Sequence, residues 1–226
     1  VELPAPVFQP ITDKLYESKL IYHSPTFGDE VRTFCMNPYG EVVAENYSGI
    51  ATVNGHSYAN KRTANTNFAL LVSEKFTEPF KEPIAYGQHV ARLANMLSGG
   101  ILVQRFGDLL DGRRSTPERI KSSIITPTLQ CATPGDLSLV LPYRQMTAII
   151  EMLKALDKIA PGVASRYTLL YGIEVKFYSG RVKLTKELET EQVKNLFTIG
   201  DGAGVTRGLI QASASGVQVA RTICDR

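Results

Sequence analysis

Apolar and polar positions alternate in short runs through the first third of the chain and then change to helical spacing. Over residues 31–73, "VRTFCM", "EVVAE", "IATVNG" and "FALLVS" read as strands, being rich in β-branched and aromatic residues and bounded by turn formers. "NPYG", with Asn37, Pro38 and Gly40, predicts a hairpin between the first two, and Ser48 and Gly49 a second turn. A small, largely antiparallel sheet is expected. Residues 1–3 also read as strand, and the prolines at 4, 6 and 10 predict only short extended pieces after it.

The period changes to 3.6 in "AYGQHVARLANMLSGG", where Val90, Leu93, Ala94 and Leu97 share one face and a glycine pair suits the helix end. A second helix is predicted over 142–159, with Pro142 near its first turn and Met146, Ile149, Ile150, Leu153 and Leu156 inward. Residues 101–140 show no period and are expected to be irregular. "YTLLYGIEVKFYSG" predicts a strand turning at Ser179 and Gly180, with "RVKLT" as its return. Leu196, Phe197, Thr198 and Ile199 read as a last strand, followed by a glycine-rich loop and a helix expected to bury Leu209, Ala212, Ser213, Gly216, Val217 and Ala220.

Length and composition narrow the class. A chain of 226 residues allows one or two domains, and 43% hydrophobic with 21% charged residues is ordinary for a globular protein. A net charge of +3 calls for neither a nucleic-acid nor a membrane partner. No apolar run approaches the roughly 20 residues that span a bilayer, and no signal peptide opens the chain, so a cytoplasmic protein is expected. Cys35, Cys131 and Cys224 match no metal-ligand spacing; they fit a reducing compartment and predict no metal site.

Gly200, Gly202 and Gly204 permit positive φ and close approach to a ligand. The helix start near Arg207 and Gly208 adds unpaired N–H groups, and Asp201 is the one carboxylate in this donor-rich turn. Such a site suits a polyhydroxyl chain better than a phosphate, and no phosphate-binding fingerprint is present. By itself, a strand, glycine turn and helix is equally well plain connection chemistry.

"FTIGDGAGVTRGLIQASASG" resembles the C-terminal flavin-binding motif of the FAD-dependent, NAD-utilizing dehydrogenases of the glutathione-reductase-like flavoprotein superfamily. The resemblance extends through "FCMNPYGEVVAENYSGIATVNGHSYANKRTANTNFALLVS", "VQRFGDLLDGRRS" and "YGIEVKFYSGRVKL". It implies an α/β (α+β) fold: a substrate-type domain over 1–160 with a mainly antiparallel or mixed sheet and helices, and over 161–226 the strand–loop–helix portion of an FAD-binding domain. The N-terminal Rossmann segment of that family is missing here, so the chain resembles a C-terminal fragment, expected to be inactive alone. The resemblance further implies FAD as cofactor, with Gly200, Asp201, Gly202, Ala203 and Gly204 along its ribityl chain or pyrophosphate side and Arg207, Gly208 and Leu209 at the flavin edge. Tyr171, Gly172, Ile173 and Glu174 match a segment near the flavin ring. The implied partners are an unknown small-molecule substrate, NAD(P)H as electron donor, and the missing Rossmann segment. The chain departs from many relatives in having Asp at 201, Asn at 37 where they carry a second cysteine, and Tyr at 39 where they carry glycine.

No catalytic residue is assigned; besides Glu174, the candidates are Cys35 and His56. Each has a plainer reading, as a small buried thiol and as a hydrogen-bonded structural imidazole. Asn65 and Asn67 read as turn formers before a strand. Arg105, Arg113, Arg114, Arg119 and Lys121 form the densest basic cluster. They give the alternative function, a non-catalytic module binding a nucleotide, RNA or protein through residues 105–121.

Overall fold

The computed structural model describes residues 1–15, 18–176, 182–206 and 208–225. The chain forms two compact units, Val1–Val175 and Lys176–Arg226. The fold is mixed α/β, with a mostly antiparallel seven-stranded sheet, a two-stranded sheet and, among the described residues, six α-helices.

In the first unit the strands are β1 (Glu2–Pro4), β2 (Ile21–His23), β3 (Glu30–Asn37), β4 (Glu41–Tyr47), β5 (Ile50–His56), β6 (Asn65–Val72), β7 (Leu102–Arg105), β8 (Thr133–Pro134) and β9 (Leu169–Gly172). The large sheet runs β2-β3-β6-β1-β9-β7-β8, while β4 and β5 pair only with each other. The β3–β4 hairpin predicted at "NPYG" is therefore corrected: that turn carries the chain from one sheet to the other, and the hairpin closes at Ser48 and Gly49. Tyr39 sits in the turn at φ 53°, a conformation that favours glycine.

Other expectations give way to packing. Residues 5–12 form a helix, α1 (Ala5–Thr12), not extended pieces. Pro6 falls in the first turn, where an N–H has no helical partner, and only Pro10 removes an intrahelical bond. The 101–140 region, expected to be irregular, supplies β7, β8, α3 (Phe106–Leu110) and α4 (Pro117–Lys121). Leu102, Val103 and Gln104 are all at most 2% exposed, so β7 is covered on both faces and shows no alternation.

Helix α2 (Pro83–Ser98) ends on Gly99 at φ 70°, as predicted. It buries Ala91 and Ala94 but leaves Leu97 exposed, against expectation. Helix α5 (Tyr143–Leu156) buries Met146, Leu153 and Leu156 in the main core, with Ile149 and Ile150 packed against it.

In the second unit, α6 (Leu209–Cys224) buries Ser215 and Val219. Leu209 is 89% and Val217 51% exposed, correcting the predicted inward face by about a third of a turn. No strand forms over 196–199 or 182–185; these segments make only the isolated bridges Glu189–Phe197 and Leu184–Thr190. The turn expected at Ser179 and Gly180 lies outside the described residues.

Candidate functional site

A cavity of about 100 Å³ in the first unit gathers residues from β3, β4, β5, β6, α5 and the end of β9. Its polar wall begins with a bulge in β3: the register shifts between Phe34 and Asn37, and Cys35 takes φ 46°. A bulge re-aims side chains and is frequent beside active sites. Cys35 and Asn37 both line the cavity. Nδ2 of Asn37 donates to the Cys35 carbonyl at 2.6 Å and to Oδ1 of Asn67 at 3.0 Å. Gly55 on β5 completes this wall, since an added Cβ would run into the amides of Asn67 and Asn37.

A second polar cluster lies behind it. Glu2 is fully buried, and its carboxylate accepts from Nδ2 of Asn65 at 2.9 Å, Oγ1 of Thr128 at 2.6 Å and the Tyr171 hydroxyl at 2.5 Å. Burial, and after it the Glu2 carboxylate, push the Tyr171 phenol well above its ordinary value, so it stays a neutral donor. Tyr171 faces the cavity, as does Glu174 just beyond β9. An added Cβ at Gly172 would strike Leu137. Asn65 and Asn67 are thus strand residues at 6% and 3% exposure, not the turn formers expected, because each side chain meets a buried polar partner.

The glycine loop belongs to the second unit. Gly200 (φ 73°) receives no Cβ penalty, and its N–H donates to Oγ of Ser215 at 3.0 Å, tying the loop to α6. Oδ1 of Asp201 accepts from Oγ1 of Thr206 at 2.6 Å and from the Gly208 N–H at 3.2 Å. Ala203 ends the short 3-10 turn Asp201–Ala203, Gly204 follows at φ 67°, and nothing lies within 4 Å of where a Gly202 Cβ would stand. Leu209 opens α6, which has no side-chain N-cap; Arg207 lies outside the described residues.

Residues 14–177 match the family described as FAD-dependent protein, C-terminal domain-like. The chain belongs to that family. A protein of Clostridium beijerinckii, described as uncharacterized, is 32% identical over 220 residues, covering 92% of this chain and 40% of the relative. The chain thus spans about two fifths of that curated relative's length.

The FAD-dependent protein C-terminal domain match covers the cavity lining apart from Val1 but stops before the glycine loop. Of the sequence-predicted residues, the fold brings Cys35 and Glu174 to one cavity, with Asn67 beside them. His56 is exposed at the end of β5, its ring 6.4 Å from that of Tyr58, and does not line the cavity. Sequence reading gave no weight to Asn37 as a ligand-facing residue or to Glu2 and Gly55. Of these only Glu2 leaves a trace, a carboxylate inside a strand-like run.

The basic cluster is largely bound within the protein. Asp108, fully buried, accepts from Arg105 at 2.9 and 3.1 Å, from Arg113 at 3.0 Å and from Ser115 at 2.8 Å. Burial alone would raise its pKa, but Arg105, Ser115 and Arg113 hold it at about 2. Arg119 donates to the Arg114 carbonyl. Among the described residues, no three His, Cys, Asp or Glu side chains cluster as a metal site, and no helix is long and apolar enough to cross a membrane.

Proposed function

We propose that this chain is part of an FAD-dependent oxidoreductase in which hydride passes between a small-molecule substrate, or NAD(P)H, and the flavin. The observation that carries this reading is family membership over residues 14–177. The glycine loop fits the flavin: it offers two positive-φ glycines, an open side at Gly202 and an uncapped helix N-terminus, features that suit a carbonyl edge or hydroxyl chain. Bound FAD supplies the hydride chemistry. The chain's share is to hold it, through Gly200, Asp201, Gly202, Ala203, Gly204, Gly208 and Leu209, while Cys35 and Glu174 line the cavity of the first unit, which would take the substrate.

A Rossmann segment elsewhere in a longer protein would hold the ADP half. Two observations support it: the relative is longer, and Leu209 and Ile210 are 89% and 79% exposed at the start of α6. The chain alone is then colourless and inactive. Expressed with the Rossmann segment restored, the protein should purify yellow, release FAD on denaturation and bleach with NADH or NADPH. A colourless, flavin-free preparation of that longer protein would falsify the reading.

A further inference from the structure

We propose that the cavity of the first unit binds a small neutral carbonyl compound, whose oxygen accepts from Nδ2 of Asn67 and whose hydrocarbon body packs on Leu141, Met146 and Ile149. Calling this compound a substrate rests on the oxidoreductase reading; its binding does not.

The polar wall selects the head group by elimination. Both N–H bonds of Asn37 are committed, to the Cys35 carbonyl and to Oδ1 of Asn67. That contact fixes the Asn67 amide with its oxygen toward Asn37, leaving Nδ2 without an acceptor in a side chain only 3% exposed. A buried donor left unmet costs about 1–3 kcal/mol, so an acceptor seated there gains what the empty site lacks. The other amide and hydroxyl side chains on this wall have acceptors, the Tyr171 hydroxyl in Glu2 and Nδ2 of Asn54 in Glu45, and the Val1 amino group, which also lines the cavity, donates to the Phe68 carbonyl at 2.8 Å. The unmet Asn67 amide therefore calls for one acceptor atom, as a carbonyl provides.

Charge and volume select the rest. Glu174 lines the cavity, no Lys, Arg or His side chain does among the described residues, and burial lowers the pKa of the Val1 amino group there to about 6, so it is largely neutral at pH 7; together these disfavour an anionic head. The remaining lining is mainly aliphatic, with no exposed polar rim from α5, where Met146 and Ile149 face in. A volume of about 100 Å³ is about two thirds of the 150 Å³ that accepts benzene, which suits a body of about four heavy atoms beside the carbonyl oxygen.

Cyclobutanone is the probe, and methylenecyclobutane, of the same shape without the oxygen, its control. Titrated into the 226-residue chain and followed by amide NMR shifts, cyclobutanone should bind saturably at one site, shifting residues around 35, 67 and 149. The control should bind about tenfold more weakly, the worth of one net hydrogen bond near its upper range. Asn67→Asp, which replaces the donor with an acceptor at equal size, should weaken cyclobutanone by tenfold or more. Should that variant fail to fold, Ile149→Trp fills the apolar end and should abolish saturable binding of both probes while the protein keeps its melting transition. Equal affinity for the two probes, unchanged binding in the folded Asn67→Asp variant, persistence in Ile149→Trp, or no saturable binding overturns the proposal. None of these arms uses flavin, so an absent yellow cofactor in the longer protein would remove the oxidoreductase reading and leave this result standing.

Discussion

Gly55 is the residue whose side chain, by being absent, lets two asparagines meet. Its Cβ position is occupied by the Asn67 and Asn37 amides, so Gly55→Ala must push that pair apart. We expect a loss of about 1–3 kcal/mol, the usual range for overpacking, read as a lower midpoint in thermal or urea unfolding. A variant as stable as wild type would mean the pair is not held as described. Asp108 governs a different property. Its pKa is held at about 2 against 3.8, so its contribution is complete above pH about 4 and is lost as pH falls through about 2. The Asp108→Asn variant should lack about 2–3 kcal/mol of stability at neutral pH, and the gap to wild type should close between pH 4 and 2. Urea unfolding across that range measures it; a gap that stays constant would show that the arginine pairing does not set the pKa.

At the scale of elements, the decisive features are short. The bulge at 35–36 turns Cys35 toward the cavity, and β7, four residues long, ties α3 and the Asp108 network to the sheet. In the second unit the Asp201 carboxylate joins the two ends of the glycine loop, with Thr206 and Gly208 both donating to it, beside the backbone bonds to Gly200 and the Gly200–Ser215 contact. Asp201→Ala should therefore speed hydrogen exchange at the Gly208 amide by about tenfold, the value of roughly one hydrogen bond, while α6 beyond Ser215 keeps its protection. Unchanged exchange at Gly208 would leave Asp201 without that structural role.

At the scale of the molecule, the two units differ in how much they bury. Among the described residues, the three apolar clusters lie within Val1–Val175, including the large one built on Phe8, Phe68 and Phe106, whereas those buried in the second unit are Thr190, Ser215 and Val219. A domain's stability follows its buried apolar area. Residues 1–175 expressed alone should thus fold with a cooperative transition close to that of the whole chain, and residues 176–226 alone should show none. A 1–175 product that fails to melt cooperatively would refute this division of stability.

Periodicity in the sequence determined α2, α5 and the cores of β3 through β5, because each has one face more exposed than the other, which is what alternation records, whereas β6, buried on both faces over Asn65–Phe68, was legible only as an apolar run. The glycine at 99 likewise marked the end of α2 through a backbone conformation that glycine adopts without strain. The sequence also contained the family resemblance on which the FAD reading rests. Only the tertiary structure decided which strands pair, since "NPYG" would serve equally as a hairpin turn or as a crossing between sheets. It alone revealed β7, buried on both faces and so without alternation, and the helix at residues 5–12, where a proline in the first turn costs no bond. The cavity belongs wholly to that second category. Cys35, Asn37, Gly55, Asn67 and Glu174 are spread over some 140 positions, and what unites them is a bulge, a missing Cβ and hydrogen bonds between distant strands, none of which leaves a periodic trace.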